Sequence, residues 1–343
     1  MAPAARTVRT APSSTRSQAA GRPEYRVYTV EVAGRRQLSP NFVRLTFSGE
    51  ALRSFGAGGV DQRVKLLLPR PGRTVADVPE GRDWYAAWQA MSEEIRPTMR
   101  TYTVRAFRPQ RAEMDIDFVL HGSGEEASGP ASAWAGAADV GDEVAILGPD
   151  RPGSGRMWGC EWCPPATARR LLLAGDETAI PAVAAILESL PADSRGIACL
   201  EVPSGEDVQV WDHVPEGIDV RWLPRDVAGA EHGELLERGL ETALGELCSR
   251  SGGDGAGGCP AASEAVAALE DVDVDNYLLW EIPESEAPGS SAGAKLDIAG
   301  GELYGWLAGE AGVIKRLRRM TVQGYGVPRG SVAFMGYWRR GRC

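Results

Sequence analysis

Apolar and polar side chains alternate through the first half of the chain. Residues 25–32 and 42–47 follow the two-residue period of strands with one buried face, and residues 64–68 form a short apolar run that stops at Pro69. Residues 100–107, 114–121 and 143–147 continue the series, each bounded by Gly, Pro or charge, with a helical interruption where Trp84 and Trp88 stand at i and i+4. Short strands at this spacing predict a small antiparallel β-barrel. After the loop at 148–165 the period changes. Residues 170–174 are a compact apolar strand, 175–178 a turn, and Pro181 opens a helix through residue 190, because proline suits the first helical turn. Buried strands at 197–202, 220–223, 306–308 and 332–335, with helices at 234–247 and 311–320, predict an α/β layer around a parallel sheet.

The pattern divides the chain into a tail at 1–23, a barrel domain at 24–150, an interdomain loop at 151–168 and an α/β domain at 169–343. Flexible surface insertions are expected near 249–262, rich in Gly and Ser, and near 283–294, rich in Pro, Gly and Ser. The tail is Ala, Ser, Thr, Pro and Arg without an acidic residue, and its amphipathic pattern is too weak for a transit peptide, so it reads as disordered. Composition narrows the function further. The 343 residues carry a formal net charge of −10, which opposes nonspecific binding to nucleic acid or acidic membranes. No apolar stretch approaches the roughly 18 residues of a membrane span, and no signal-peptide core is present, so a cytoplasmic protein without membrane insertion is expected. Six cysteines are few for this length. Cys160 and Cys163 form a Cys-x-x-Cys in a Gly- and Pro-rich loop with no second pair, and His213 and His232 lack ligand spacing, so neither a disulfide framework nor a metal site is expected.

Arg100-Thr101-Tyr102-Thr103 lies on an expected strand, with Arg100 and Tyr102 on one face and Thr103 on the other. A guanidinium fork suits phosphate oxygens, a tyrosine ring stacks on a flat heterocycle, and a threonine hydroxyl bonds its edge. Gly129-Pro130-Ala131-Ser132 stands at a helix start, where backbone amides and a hydroxyl meet the positive end of the helix dipole. Taken singly, each segment also fits a bland role, as a barrel strand and as a helix start.

Together these segments resemble the ferredoxin-reductase-like flavoenzymes, which follow an Arg-x-Tyr-Thr strand with a Gly-x-x-Ser helix start to hold FAD. The ordered set of DQRVKL at 61–66, RTYTVR at 100–105, DFVLHG at 117–122, GPAS at 129–132, GDETAIPA at 175–182, Gly309-Glu310 and GYWR at 336–339 is similar to the siderophore-interacting proteins. The resemblance runs from about residue 25 to residue 341. It implies an N-terminal FAD barrel, a C-terminal α/β domain for NADH or NADPH, and reduction of a ferric siderophore, with a ferredoxin as a further electron donor left open.

By that resemblance Arg100, Tyr102 and Thr103 hold the FAD phosphate, ring face and ring edge, and Gly129, Ala131 and Ser132 seat the pyrophosphate. Asp117, Val119 and His121 share one strand face and are placed at FAD, with a structural role for His121 equally open. Gly175 to Thr178 ends the first parallel strand, where open α/β sheets bind nucleotides. It lacks the Gly-x-Gly-x-x-Gly fingerprint, and a plain turn with Asp176 or Thr178 capping the helix is the competing reading. The resemblance favours nucleotide binding through Asp176, Thr178 and Ala179, with Gly309 and Glu310 as the nicotinamide-side loop. Trp338 either covers the flavin or packs the last strand. No cysteine stands near Gly309, which leaves geometry as the main mechanism, and no catalytic acid, base or nucleophile is expected. Lys65, Arg339 and Arg340 are the cations expected to gather an anionic ferric siderophore. Arg225 is placed to read a 2′-phosphate and Glu201 to favour a free ribose, so the choice between NADH and NADPH stays open. Two other functions stay open: a flavin oxidoreductase for another acceptor, and a siderophore-binding module without turnover.

Overall fold

A computed structural model describes residues 25–81, 83–120, 129–150, 159–249, 279–283 and 303–341. The expected tail, the insertion at 249–262 and most of that at 283–294 lie outside the described residues. By packing, the described residues form two units. One comprises those up to Trp162 together with Pro181–Ser189, and the other comprises Cys163–Ile180 and those from Leu190 onward.

In the first unit seven strands, β1 (Tyr25–Ser39), β2 (Phe42–Ser48), β3 (Arg63–Leu68), β4 (Thr98–Thr103), β5 (Ala106–Arg108), β6 (Glu113–Val119) and β7 (Glu143–Pro149), form one antiparallel sheet in the order β4-β3-β7-β1-β2-β6-β5. Alternation puts Tyr28, Val30 and Val32 of β1 and Met114, Ile116 and Phe118 of β6 inside, where they join Val43, Leu45 and Phe47 in the main core. The sheet is a half-barrel, not a closed barrel, because β4 and β5 are its two edges. The single strand expected at 100–107 breaks between them. There Val104 N–H donates to Gln62 O and Arg105 N–H to Asp115 O, so the chain passes from one edge to the other. Helix α1 (Trp84–Ala90) contributes Trp84 and Trp88 to a smaller cluster with Leu67, Met99 and Leu147 on the outer face. Helix α2 (Pro130–Ala137) sets Ala131, Ala135 and Trp134 against the main core.

In the second unit β8 (Arg170–Gly175), β9 (Gly196–Val202), β10 (Ile218–Pro224), β12 (Leu303–Glu310) and β13 (Val332–Trp338) are parallel, in the order β10-β9-β8-β12-β13. A two-residue strand, β11 (Trp280–Glu281), pairs antiparallel with β13, so the expected all-parallel sheet is mixed at this edge. Two residues are too few to leave a periodic signal. Helix α3 (Ile180–Ser189) follows β8 in the chain but from Pro181 on belongs to the first unit, and α4 (Arg225–Ala228) follows β10 directly. Helix α5 (Glu234–Ser249) buries Leu236, Leu240, Ala243, Leu244 and Leu247 at helical spacing, and α6 (Ala311–Arg319) buries Val313, Ile314 and Leu317. Gly175 permits close approach of β8 and β12, since a Cβ there would stand 2.6 Å from Ala308 O. Gly309, at φ 155°, faces the Asp176 carboxylate where a side chain would collide.

Candidate cofactor site

On β4, Arg100 and Tyr102 share the core-side face opposite Leu66 and Val64, as the two-residue period requires. The Tyr102 ring lies 4.5 Å from that of Phe118, and Phe118 lies 6.3 Å from Trp134, so one aromatic chain joins β4, β6 and α2. Burial raises the Tyr102 phenol above its ordinary range, against a small opposing effect of Arg100, and keeps it neutral. Arg100 is half-buried, its Nη1 donates to Met99 O at 2.9 Å, and no carboxylate among the described residues pairs with it. Thr103 is buried on the other face. At α2, Gly129 takes the N-cap position with no side-chain cap, and among the described residues nothing lies within 4 Å of where its Cβ would stand. Ala131 and Ser132 begin the helix and are buried. A half-buried guanidinium with no anionic partner among the described residues, and a helix start without a side-chain cap from Gly129, fit the phosphates of FAD. The residues that would hold it are Arg100, Tyr102, Gly129, Ala131 and Ser132.

Asp117 leaves that set. Arg44 Nε and Nη2 hold its two oxygens at 2.6 and 2.8 Å, and Arg105 Nε stands 3.9 Å away. A carboxylate so paired is a structural anion of the β2–β6 face. Val119 is buried on the same face, and His121 lies outside the described residues. Lys65 shares the outer face with Thr101 and donates to its Oγ1 at 2.6 Å. Its side chain reaches solvent, yet packed neighbours desolvate the ammonium and, with the Arg63 charge, lower it to about 8. Arg339 is half-buried and Arg340 exposed, with the Arg340 amide donating to Glu310 Oε1 at 3.3 Å. Cys160 is buried with its thiol 3.1 Å from Gln62 Oε1, and Cys163 is exposed.

In the second unit the expected nucleotide residues do converge at the carboxyl ends of β8, β12 and β13. Asp176 is their hub. Its Oδ1 accepts from Thr178 N at 3.0 Å and Thr178 Oγ1 at 2.5 Å, while Oδ2 accepts from Glu310 N and from Trp338 Nε1, both at 2.8 Å. Glu310 caps α6 by accepting from Val313 N at 2.9 Å, and Ala179 is fully buried. Trp338 is thus tied to Asp176 by its indole N–H. His232, for which sequence spacing gave no role, enters the same cluster. Its Nε2 stands 3.4 Å from Asp176 Oδ2 and 3.9 Å from Glu177 Oε2, and its ring meets Trp338 edge-on at 5.2 Å. Burial pulls the imidazole pKa down, but the Asp176 contact and the charges of Asp176, Glu177 and Glu201 outweigh it and raise the value. Burial in turn pushes Asp176 up, and His232, Thr178 and Trp338 outweigh it and lower the carboxyl.

Neither reading of Arg225 or Glu201 survives in its simple form. Arg225 is gripped by Glu177 at 2.8 and 3.0 Å and by Glu201 at 3.1 Å. Glu201 is fully buried and also accepts from Gly233 N at 2.7 Å and Leu236 N at 2.9 Å, so its oxygens are committed to protein groups.

Both halves match family models. The model described as "Siderophore-interacting FAD-binding domain" matches residues 31–153, and the one described as "Siderophore-interacting protein" matches residues 168–341. The chain belongs to the siderophore-interacting protein family. It is 32% identical over 203 residues to the ferric vibriobactin reductase ViuB of Vibrio cholerae, covering 59% of this chain and 68% of the relative. It is 30% identical over 197 residues to the NADPH-dependent ferric-chelate reductase of Escherichia coli, covering 55% and 68%. The crystal structure of the siderophore-interacting protein SipS from Aeromonas hydrophila matches with a TM-score of 0.60 and 28% identity over 93% of both chains. The half-barrel and mixed α/β sheet are therefore the ferredoxin-reductase-like fold of this family.

Proposed function

We propose that this chain is an FAD-dependent reductase that takes electrons from NADH or NADPH and reduces a ferric siderophore in the cytoplasm. The observation that carries the reading is Arg100: a half-buried guanidinium without a carboxylate partner among the described residues, on the same strand face as Tyr102, in a chain whose two halves match the two siderophore-interacting models. Arg100 and the first turn of α2 bind the cofactor phosphates, and Tyr102 fixes the ring plane. When bound, FAD supplies the link between a two-electron donor and the one-electron reduction of Fe(III). The chain orients the reacting groups; none of its side chains is required as acid or base. Asp176, Thr178, Gly309 and Glu310 shape the nicotinamide side. Lys65, Arg339 and Arg340 gather the anionic iron complex, and because Fe(II) binds oxygen-rich ligands less tightly, reduction promotes release.

The test is anaerobic. NADH or NADPH is added to the purified protein, then a ferric siderophore with a ferrous trap. Flavin bleaching followed by trapped Fe(II) is expected. Bleaching without iron reduction assigns another acceptor, and tight siderophore binding without bleaching assigns a binding module. A reduced ferredoxin in place of the nucleotide tests the further donor.

A further inference from the structure

At the carboxyl ends of β8, β9 and β10 an arginine and a pair of backbone amides are both held by the protein's own carboxylates. In open α/β folds an acidic side chain near the second strand takes the ribose 2′-hydroxyl of NADH, and a nearby arginine accommodates the 2′-phosphate of NADPH. Arg225 is the arginine at this edge, and Glu177 and Glu201 span its guanidinium. Moving it to a phosphate would strand two carboxylates whose side chains are 4% and 0% exposed. The amides are those of Gly205 and Val227. Both donate to Asp226 Oδ1, at 3.0 and 2.7 Å. Bonds from Ser204 and these amides hold the Asp226 carboxyl below its ordinary range, so it is ionised at neutral pH. Glu206, exposed and next to Gly205, adds negative charge.

Resting on the nicotinamide-dependent reading above, we propose that this edge rejects the 2′-phosphate, that NADH is the preferred donor, and that Asp226 and the caged Arg225 determine the preference. Asp226 occupies the amides a phosphate would need and repels it. Arg225, neutralised on both sides, offers it no attraction.

The test uses the FAD-loaded full chain titrated calorimetrically with NAD⁺ and NADP⁺, which cannot reduce flavin, alongside anaerobic flavin reduction by NADH and NADPH. NAD⁺ is expected to bind at least about tenfold more tightly, with NADH the faster reductant by a similar factor. Asp226→Ala, at an exposed position, opens the amides and removes the charge, so NADP⁺ affinity rises by about tenfold while NAD⁺ stays within about twofold. Equal or tighter binding of NADP⁺ by the parent protein overturns the proposal and leaves nicotinamide-dependent reduction standing. So does an Asp226→Ala variant with an unchanged ratio. If neither nucleotide binds or bleaches the flavin, the proposal and the nicotinamide reading fall together.

Discussion

Two arginines, one in each unit, meet opposite fates. Arg100 on β4 donates to a backbone carbonyl beside it and has no carboxylate partner among the described residues. Arg225 at the start of α4 makes three bonds to two buried carboxylates. A cation paired by the protein is part of its structure, whereas an unpaired half-buried one fits a ligand anion. The helix starts repeat the contrast: α2 has no side-chain cap, and α6 is capped by Glu310. The β4 face of the first unit keeps a cation for a ligand anion, whereas at Arg225 and Asp176 the second unit pairs its own charges. Recognition by the second must come from shape and from the few groups left over.

The largest expected effect breaks this comparison at Arg225. Arg225→Met keeps the aliphatic stem but leaves Glu177 and Glu201 unpaired, and stranding a buried charge costs about 3–5 kcal/mol. The unfolding transition of the second unit in urea, followed by tryptophan fluorescence, should move to markedly lower denaturant. A variant as stable as the parent would show the cage to be dispensable.

The mirror experiment is Arg100→Met. Because no carboxylate among the described residues depends on Arg100 and the Met side chain keeps its aliphatic stem, stability without FAD should change by less than about 0.5 kcal/mol. FAD affinity should fall by about 10- to 100-fold, the equivalent of one hydrogen bond to a charged group at about 1.5–3 kcal/mol. Tyr102→Ala should weaken FAD less, by about tenfold, through the lost ring contact. Equilibrium dialysis against FAD measures both. Unchanged affinity in two folded variants would remove the β4 face from the cofactor site.

The contrast also explains what the sequence disclosed. The face shared by Arg100 and Tyr102 follows from a two-residue period over six residues, and the start of α2 from Gly129 and Pro130. Both are local, and both were legible. The Asp176 cluster is not local: His232 and Trp338 lie 56 and 162 positions from it, and only the parallel order of β8, β9, β12 and β13 brings them together. Asp117 misled for the same reason. Alternation placed it on a face correctly, but its partner Arg44 sits 73 residues away on β2. Arg225 read as an available cation because its two carboxylates come from β9 and from the turn after β8.

A smaller effect concerns Lys65, whose ammonium is lowered to about 8 by burial and by Arg63. If it gathers an anionic ferric siderophore, its attraction is present below that value and lost as pH rises through it. The apparent KM for an anionic complex should therefore increase several-fold between pH 7 and 9, roughly what loss of one exposed charge does to encounter. Flavin reduction by NADH should lack this step, and Lys65→Gln should abolish it. An equal rise with a neutral iron complex would assign Lys65 to the cofactor instead.

The smallest effect probes how complete the self-satisfaction of the second unit is, through the one member of its cluster that titrates near neutrality. His232 has a folded pKa raised above 6.5 because Asp176, Glu177 and Glu201 outweigh its burial. A group whose folded value is raised adds stability that is fully present below the unfolded value and disappears as pH climbs through the folded one. Asp176 runs the other way: its lowered carboxyl adds stability above 3.8 that disappears as pH falls through the folded value. The contact is therefore at full strength between about pH 4 and 6.5, the unfolded values of the two groups. Above that window a neutral imidazole leaves Asp176 and Glu177 with less compensation, and Trp338, which shares Asp176 Oδ2 and packs against the His232 ring, should sense the change. Tryptophan fluorescence and thermal midpoint should both shift as pH rises above 6.5, and His232→Gln should flatten both while leaving FAD affinity intact. A parent and a variant with superimposable profiles would mean that His232 is neutral throughout, and that the cluster is balanced by Arg225 alone.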